Sequence, residues 1–170
     1  LDLVFLYAGD AATETEGPKC VTAGEFYARV AQRILHILGT NTPAGILYET
    51  DLRLRPSGNS GLLVSSLEAF DAYQKHEAWT WEQQALVKAR FVAGDPEVGE
   101  TFNTIRAQSL GRPRDRETLR QEIVDMRGKM RAALETKDPG LFDLKQGAGG
   151  IVDIEFLVQF WVLAWSNAHP

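Results

Sequence analysis

Residues 46–61, ILYETDLRLRPSGNSG, constrain this chain more than any other stretch. The run alternates like a strand and ends in a glycine-rich loop. Strand geometry sends successive side chains to opposite faces. Leu52 and Leu54 then share one face, while Glu49, Asp51, Arg53 and Arg55 share the other. Pro56 stops the ladder because it has no N–H to donate. The loop after it, Ser57-Gly58-Asn59-Ser60-Gly61, offers backbone N–H groups of the kind that wrap a phosphate. Two readings stand side by side. A face carrying carboxylates and two guanidiniums suits a divalent metal with a polyphosphate. It equally suits an exposed edge strand whose charges pair with one another and block aggregation.

Charge and composition narrow the classes. The 23 acidic residues outnumber the 18 basic ones, for a net charge of −5, so binding to nucleic acid through bulk charge is not expected. The single cysteine, Cys20, excludes an internal disulfide and fits a reducing compartment, so a cytoplasmic location is expected. No apolar run reaches the ~20 residues of a membrane span, and no membrane association is expected. The most apolar segment, residues 151–165, is interrupted by Asp153, Glu155 and Gln159 and reads as a buried helix. At 170 residues the chain can bury one sizeable core, or one domain plus a helical appendage. It opens LDLVFLY, with no basic leader and no starter methionine, and is expected to be a piece of a longer protein.

Residues 1–7 are expected as a strand buried on both faces. Asp2 at its start needs a metal, an arginine or solvent as partner. Residues 22–38 read as a helix, with a capping box at Thr22 and Glu25 and Gly39 as its terminator. Residues 46–55 are the second strand, and residues 62–64 a further short one. This β-helix-β order fits an α/β or α+β sheet. Residue 65 begins a mostly helical region. A helical region over 65–92 carries a Ser65–Glu68 capping box and, in its first segment, the stripe Leu67, Phe70, Tyr73. Further helices are expected over 96–106, 117–135 and 151–167, with a turn at Asp138-Pro139-Gly140 and a short extended piece over 142–144. Lys88 and Arg90 near the end of the 65–92 region suit a helix dipole, or reach a triphosphate beside the 57–61 loop. The junction KQGAGGIVDIEF has the glycines of a phosphate loop without the lysine and hydroxyl spacing. Asp153 and Glu155 in the following helical turn would repel an anion, so a structural role is expected there.

With Asp2 and the Asp51 strand both in view, the chain resembles the nucleotidyltransferase domain of the bifunctional glutamine synthetase adenylyltransferase/adenylyl-removing enzymes. The runs that carry the resemblance are LDLVFLY, YETDLRLRPSGNSGLLVSSLEAFDAYQ, EAWTWEQQALVKAR and GGIVDIEF, which together cover nearly the whole chain. The Trp79-Thr80-Trp81-Glu82 run is similar to the C-terminal, adenylylating half of that family. The resemblance implies an α+β fold: a polymerase-β-like palm, with a small mixed sheet and helices over residues 1–110, followed by a helical domain over 111–170. Both would be incomplete, the palm at its N-terminus.

The resemblance also implies chemistry. Asp2 matches the second acid of the family's Asp-x-Asp pair, and Asp51 matches the third acid on a neighbouring strand. Both are expected as catalytic metal ligands for two Mg²⁺ ions, with ATP as substrate. Arg53, Arg55, Ser57, Lys88 and Arg90 are the expected nucleotide contacts. The first acid of the pair would immediately precede Leu1, and an upstream Gly-Ser element would contact phosphate; without them the chain as given is expected to be inactive. The implied reaction moves AMP from ATP to a tyrosine of glutamine synthetase, in the regulation of nitrogen assimilation. A PII-type regulatory protein is a further expected partner of the full-length enzyme. Three alternatives stand beside this reading: the adenylyl-removing half, a docking module without chemistry, and a related transferase with another acceptor.

Overall fold

The apolar opening run and the capped segment behind it form the first strand and helix, β1 (Phe5–Tyr7) and α1 (Ala23–Gly39). They belong to a computed structural model that describes residues 1–136, 138 and 140–169. These divide into two units, one comprising Leu1–Ala78 and Phe91–Phe102, the other Trp79–Arg90 and the chain from Asn103 onward. The architecture is mixed α+β, with six α-helices and two small two-stranded sheets among the described residues. None of these helices is long and apolar enough to cross a membrane.

In the first unit, Thr22 Oγ1 accepts the Glu25 N–H at 3.2 Å, so α1 starts where its capping signal lies. It ends one residue later than expected: Gly39 is still helical, and Thr40 closes the helix by donating its N–H to the Ile37 carbonyl. A short hairpin follows, β2 (Asn41–Thr42) against β3 (Gly45–Ile46). β4 (Val64–Ser66) then pairs in parallel with β1, Phe5 opposite Val64 and Tyr7 opposite Ser66. Tyr7, Ala31 and Val64 form the buried centre, with Phe5, Ala23, Ala28 and Leu63 packed around it. Tyr27 stacks on Tyr7 with ring centroids 4.8 Å apart. α2 (Leu67–His76) leaves β4 without a loop, because Ser66 ends the strand and also caps the helix by accepting the Ala69 N–H.

Several expectations fail here for local reasons. The strand over 46–55 does not form. Within that range beyond Ile46, only Asp51 joins a ladder, through a parallel bridge to Asp2, and the backbone folds into turns from Arg53 onward. The Arg55 N–H bonds back to the Leu52 carbonyl at 3.2 Å, so Glu49, Asp51, Arg53 and Arg55 share no strand face. Residues 1–7 are not buried on both faces: Val4 is exposed while Tyr7 is buried. Ser66, not Ser65, caps α2, because the pairing of residues 64–66 with β1 fixes where the helix can begin. The helical region over 65–92 is divided into two helices. The Glu77 and Ala78 N–H groups both reach the Tyr73 carbonyl at 2.9 Å and close α2. Glu82 accepts the Trp79 N–H at 2.9 Å and starts α3 (Thr80–Lys88).

The second unit is helical. It holds α3, the latter part of α4 (Pro96–Leu110), α5 (Arg116–Leu134) and α6 (Ile151–Trp165). Leu86, Ile105, Leu119, Ile123 and Leu163 supply its apolar interior. Its buried polar groups are cross-linked: Gln84 Nε2 donates to Gln159 Oε1 at 2.8 Å. Arg114 donates to the Ser109 carbonyl at 2.6 Å, the Leu110 carbonyl at 2.9 Å and Gln83 Oε1 at 2.9 Å. Asp153 is a hub. It accepts from Arg127 Nε at 2.5 Å, Arg131 Nη2 at 3.0 Å and the Gly149 N–H at 2.7 Å. That network gives the KQGAGGIVDIEF junction a structural use of its acid. α6 is not a fully buried helix: it buries Val152, Gln159, Leu163 and Ala164 and exposes Ile151, Ile154, Leu157, Val158 and Trp161. Residues 142–144 form no strand. Pro139 of the expected Asp138-Pro139-Gly140 turn lies outside the described residues.

Candidate metal and nucleotide site

Asp2 and Asp51 meet in the first unit. The Leu3 N–H donates to the Asp51 carbonyl and the Asp51 N–H to the Leu1 carbonyl, each at 2.9 Å, which makes Asp2 and Asp51 register partners in a parallel bridge. Partners in such a bridge lie about 4.8 Å apart and project their side chains to the same face. Two carboxylates from segments nearly fifty residues apart in sequence are therefore side by side.

Arg53 partly compensates the resulting negative charge. Its Nε donates to both Asp51 carboxylate oxygens, at 3.0 and 2.8 Å, and its Nη2 pairs with Oδ2. The Arg53 backbone N–H adds a bond to Asp51 Oδ1 at 2.9 Å. These bonds, first the guanidinium and then the backbone N–H, lower the Asp51 carboxyl from 3.8 to about 2. The same contacts raise the Arg53 guanidinium, and the field of Asp2 adds to the effect. Two carboxylates and the Arg53 guanidinium thus share this corner of the first unit. Arg53 is 74% exposed along its side chain and can leave Asp51 without unpacking anything.

Asp2 and Asp51 fit a magnesium ion by donor chemistry. Mg²⁺ prefers hard oxygen ligands, keeps several waters, and is commonly held by one or two carboxylates together with substrate phosphates. Among the described residues no cluster of three or more carboxylate, imidazole or thiolate groups is assembled for a metal, so the ion would depend on water and phosphate for the rest of its shell.

The loop after Asp51 is built differently from the expectation. Its N–H groups do not form an open phosphate cradle. The Ser57 N–H donates to the Tyr73 hydroxyl at 3.0 Å. Those of Gly58, Ser60 and Gly61 go to the carbonyls of Arg55, Ser57 and Gly58 at 2.8, 3.2 and 3.2 Å. Ser57 and Gly58 both sit in the left-handed region, at φ 59° and 53°, and residues Gly58–Ser60 make a single 3₁₀ turn. Gly61 is required sterically, since a Cβ there would stand 1.8 Å from the Pro56 carbonyl oxygen. Arg55 lies inside this turn. Its Nη1 donates to the Leu52 carbonyl at 3.0 Å, Nη2 to that of Asn59 at 3.3 Å and Nε to that of Gly61 at 3.4 Å.

The structure therefore groups Asp2, Asp51 and Arg53, and places Arg55 and Ser57 in the adjoining loop. Lys88 and Arg90 belong to the second unit. Lys88 Nζ pairs there with Glu155 at 3.0 Å, and Arg90 is exposed just beyond α3. Tyr73 was not among the expected site residues. Its place in the stripe Leu67, Phe70, Tyr73 marked it as core, and only its hydroxyl distinguished it as a group able to tie down a loop.

Known proteins match this chain throughout. The family described as glutamate-ammonia ligase adenylyltransferase matches residues 1–105. A bifunctional glutamine synthetase adenylyltransferase/adenylyl-removing enzyme of Methylococcus capsulatus is 58% identical over 170 residues, 99% of this chain and 18% of that protein. The enzymes of the same description from Nitrosococcus oceani and Pseudomonas syringae pv. tomato are 57% and 54% identical, each across 100% of this chain. The chain spans about one fifth of the length of the curated relatives it matches.

Proposed function

This chain belongs to the glutamate-ammonia ligase adenylyltransferase family, and on that premise we propose that it contributes the catalytic carboxylates for transfer of AMP from ATP to a tyrosine of glutamine synthetase, in the manner of the adenylylating half. In this reading the first unit supplies a polymerase-β-like palm, and Asp2 and Asp51 hold Mg²⁺. The observation that carries the proposal is the parallel bridge that sets these two carboxylates side by side. Bound magnesium would lower the pKa of an attacking hydroxyl and neutralise charge on the phosphates. The protein's part is to hold Asp51 in register with Asp2. Arg53 is exposed enough to exchange its carboxylate for a phosphate, which its planar guanidinium can bind in bidentate fashion. Ser57 offers its hydroxyl at the loop's left-handed corner.

The test is incorporation of label from α-labelled ATP into glutamine synthetase by a chain extended upstream through the first acid of the pair. Asp51→Asn should abolish transfer with little loss of folding, because Asp51 bonds mainly to an exposed arginine. Full transfer by that variant would overturn the assignment.

A further inference from the structure

Arg55 sits four residues from Asp51, and its guanidinium faces inward. Its three nitrogens reach three backbone carbonyls: Leu52, next to Asp51 in the chain, and Asn59 and Gly61 at the loop's far end. A planar fork with fixed donor directions holds three such oxygens from three separate nitrogens; an ammonium gathers its donors at a single point. The Arg55 backbone takes part too. Its N–H returns to the Leu52 carbonyl at 3.2 Å, and its carbonyl accepts the Gly58 N–H at 2.8 Å. On the other side of the loop, the Tyr73 hydroxyl of α2 accepts the Ser57 N–H. The turn after Asp51 is thus pinned from within by Arg55 and anchored to a helix by Tyr73.

We propose that Arg55 is a positioning residue for the candidate site rather than a phosphate ligand: it clasps the 52–61 loop and thereby fixes the direction in which Asp51 and Arg53 are presented. The proposal rests on the nucleotidyl-transfer reading for its functional consequence, and on the hydrogen bonds alone for its structural one. Arg53 and Arg55 look equivalent in the sequence but have opposite assignments. Arg53 is the exposed, exchangeable charge, and Arg55 is the half-buried clasp.

Comparing Arg55→Lys with Arg55→Gln in the full chain separates the two roles. A phosphate-binding charge would be largely rescued by lysine. A clasp would not, and both variants should behave alike. Amide hydrogen exchange at Gly58, Ser60 and Gly61 should accelerate at least about tenfold in both, because hydrogen bonds from a charged donor are each worth enough to shift a local opening by that factor. Amides within α1 should be unchanged. Titration with Mg-ATP should show affinity weakened about equally in both. Tyr73→Phe should accelerate exchange at Ser57 in particular. Protected loop amides in Arg55→Lys, or Mg-ATP affinity restored by lysine but not glutamine, would overturn the clasp. If the unsubstituted chain takes up no Mg-ATP, the nucleotidyl-transfer reading fails, while the exchange measurement still decides whether Arg55 clasps the loop.

Discussion

Replacing Asp153 by alanine should destabilise the second unit and leave the first largely untouched. Asp153 accepts from Arg127, Arg131 and the Gly149 N–H, and Arg127 is only 8% exposed. Removing one partner of a buried ion pair costs about 3–5 kcal/mol, because the surviving charge is left without compensation. Two features reduce that figure here. The Asp153 side chain keeps 29% of its exposure, and Arg127 retains its bond to the Gln146 carbonyl at 2.6 Å. A loss of about 2–3 kcal/mol is therefore expected, or about 5–10 °C in melting temperature for a chain of this size. Asparagine, which keeps an acceptor oxygen but no charge, should fall between. The assay is urea unfolding followed by tryptophan fluorescence. All four tryptophans, Trp79, Trp81, Trp161 and Trp165, lie in the second unit, so the signal reports on it alone. pH provides a second check. The Gly149 N–H and the two arginines lower the Asp153 carboxyl. The stabilisation is accordingly full above the ordinary carboxylate value and declines as pH falls through the lowered folded value. Stability unchanged within about 0.5 kcal/mol, the range of a neutral surface substitution, would refute the hub.

Other outcomes follow from the same contacts. Gly61→Ala places a methyl 1.8 Å from the Pro56 carbonyl oxygen; relief requires backbone movement, at about 2 kcal/mol or more by the usual cost of strained sites, seen as lost protection of the loop amides. The Asp51 carboxyl, followed by NMR, should titrate at about 2, and Arg53→Gln should return it toward the ordinary carboxylate value. Whatever stability the Asp51–Arg53 contact provides is present above the unfolded carboxylate value near 4 and is lost as pH falls toward about 2. Arg114→Met removes the clamp on the Ser109 and Leu110 carbonyls and on Gln83. It should lower the urea midpoint of the tryptophan signal by the equivalent of about 2 kcal/mol.

Signals that close over three or four residues were legible in the sequence. Thr22 and Glu25 gave the start of α1, and the apolar period gave α5 to within a residue. The alternation in residues 46–55 misled, because an i,i+2 capture of Arg53 by Asp51 and the inward fork of Arg55 compete with ladder bonds. Pattern alone does not reveal which of them prevails. The choice of Ser66 over Ser65 depended on the β1–β4 register, a long-range pairing that no local signal contains. The exact start of α3 carries no serine or aspartate cap: it is marked by Glu82 reaching back to a tryptophan N–H. The pairing of Asp2 with Asp51 came from family resemblance; spacing could not have related residues so far apart. The differing contacts of Arg53 and Arg55 have no counterpart in the sequence pattern, since both alternate with leucine in the same short run.

Calorimetric titration of Mg-ATP against the unsubstituted chain, Asp2→Asn and Asp51→Asn tests the central claim most directly, with thermal unfolding of each recorded in parallel. If Asp2 and Asp51 jointly hold the metal, the unsubstituted chain binds Mg-ATP. Each variant then binds at least about tenfold more weakly, since either substitution replaces one of two charged carboxylates by a neutral amide, and the melting temperatures stay within a few degrees. Unweakened binding by both variants would contradict the account.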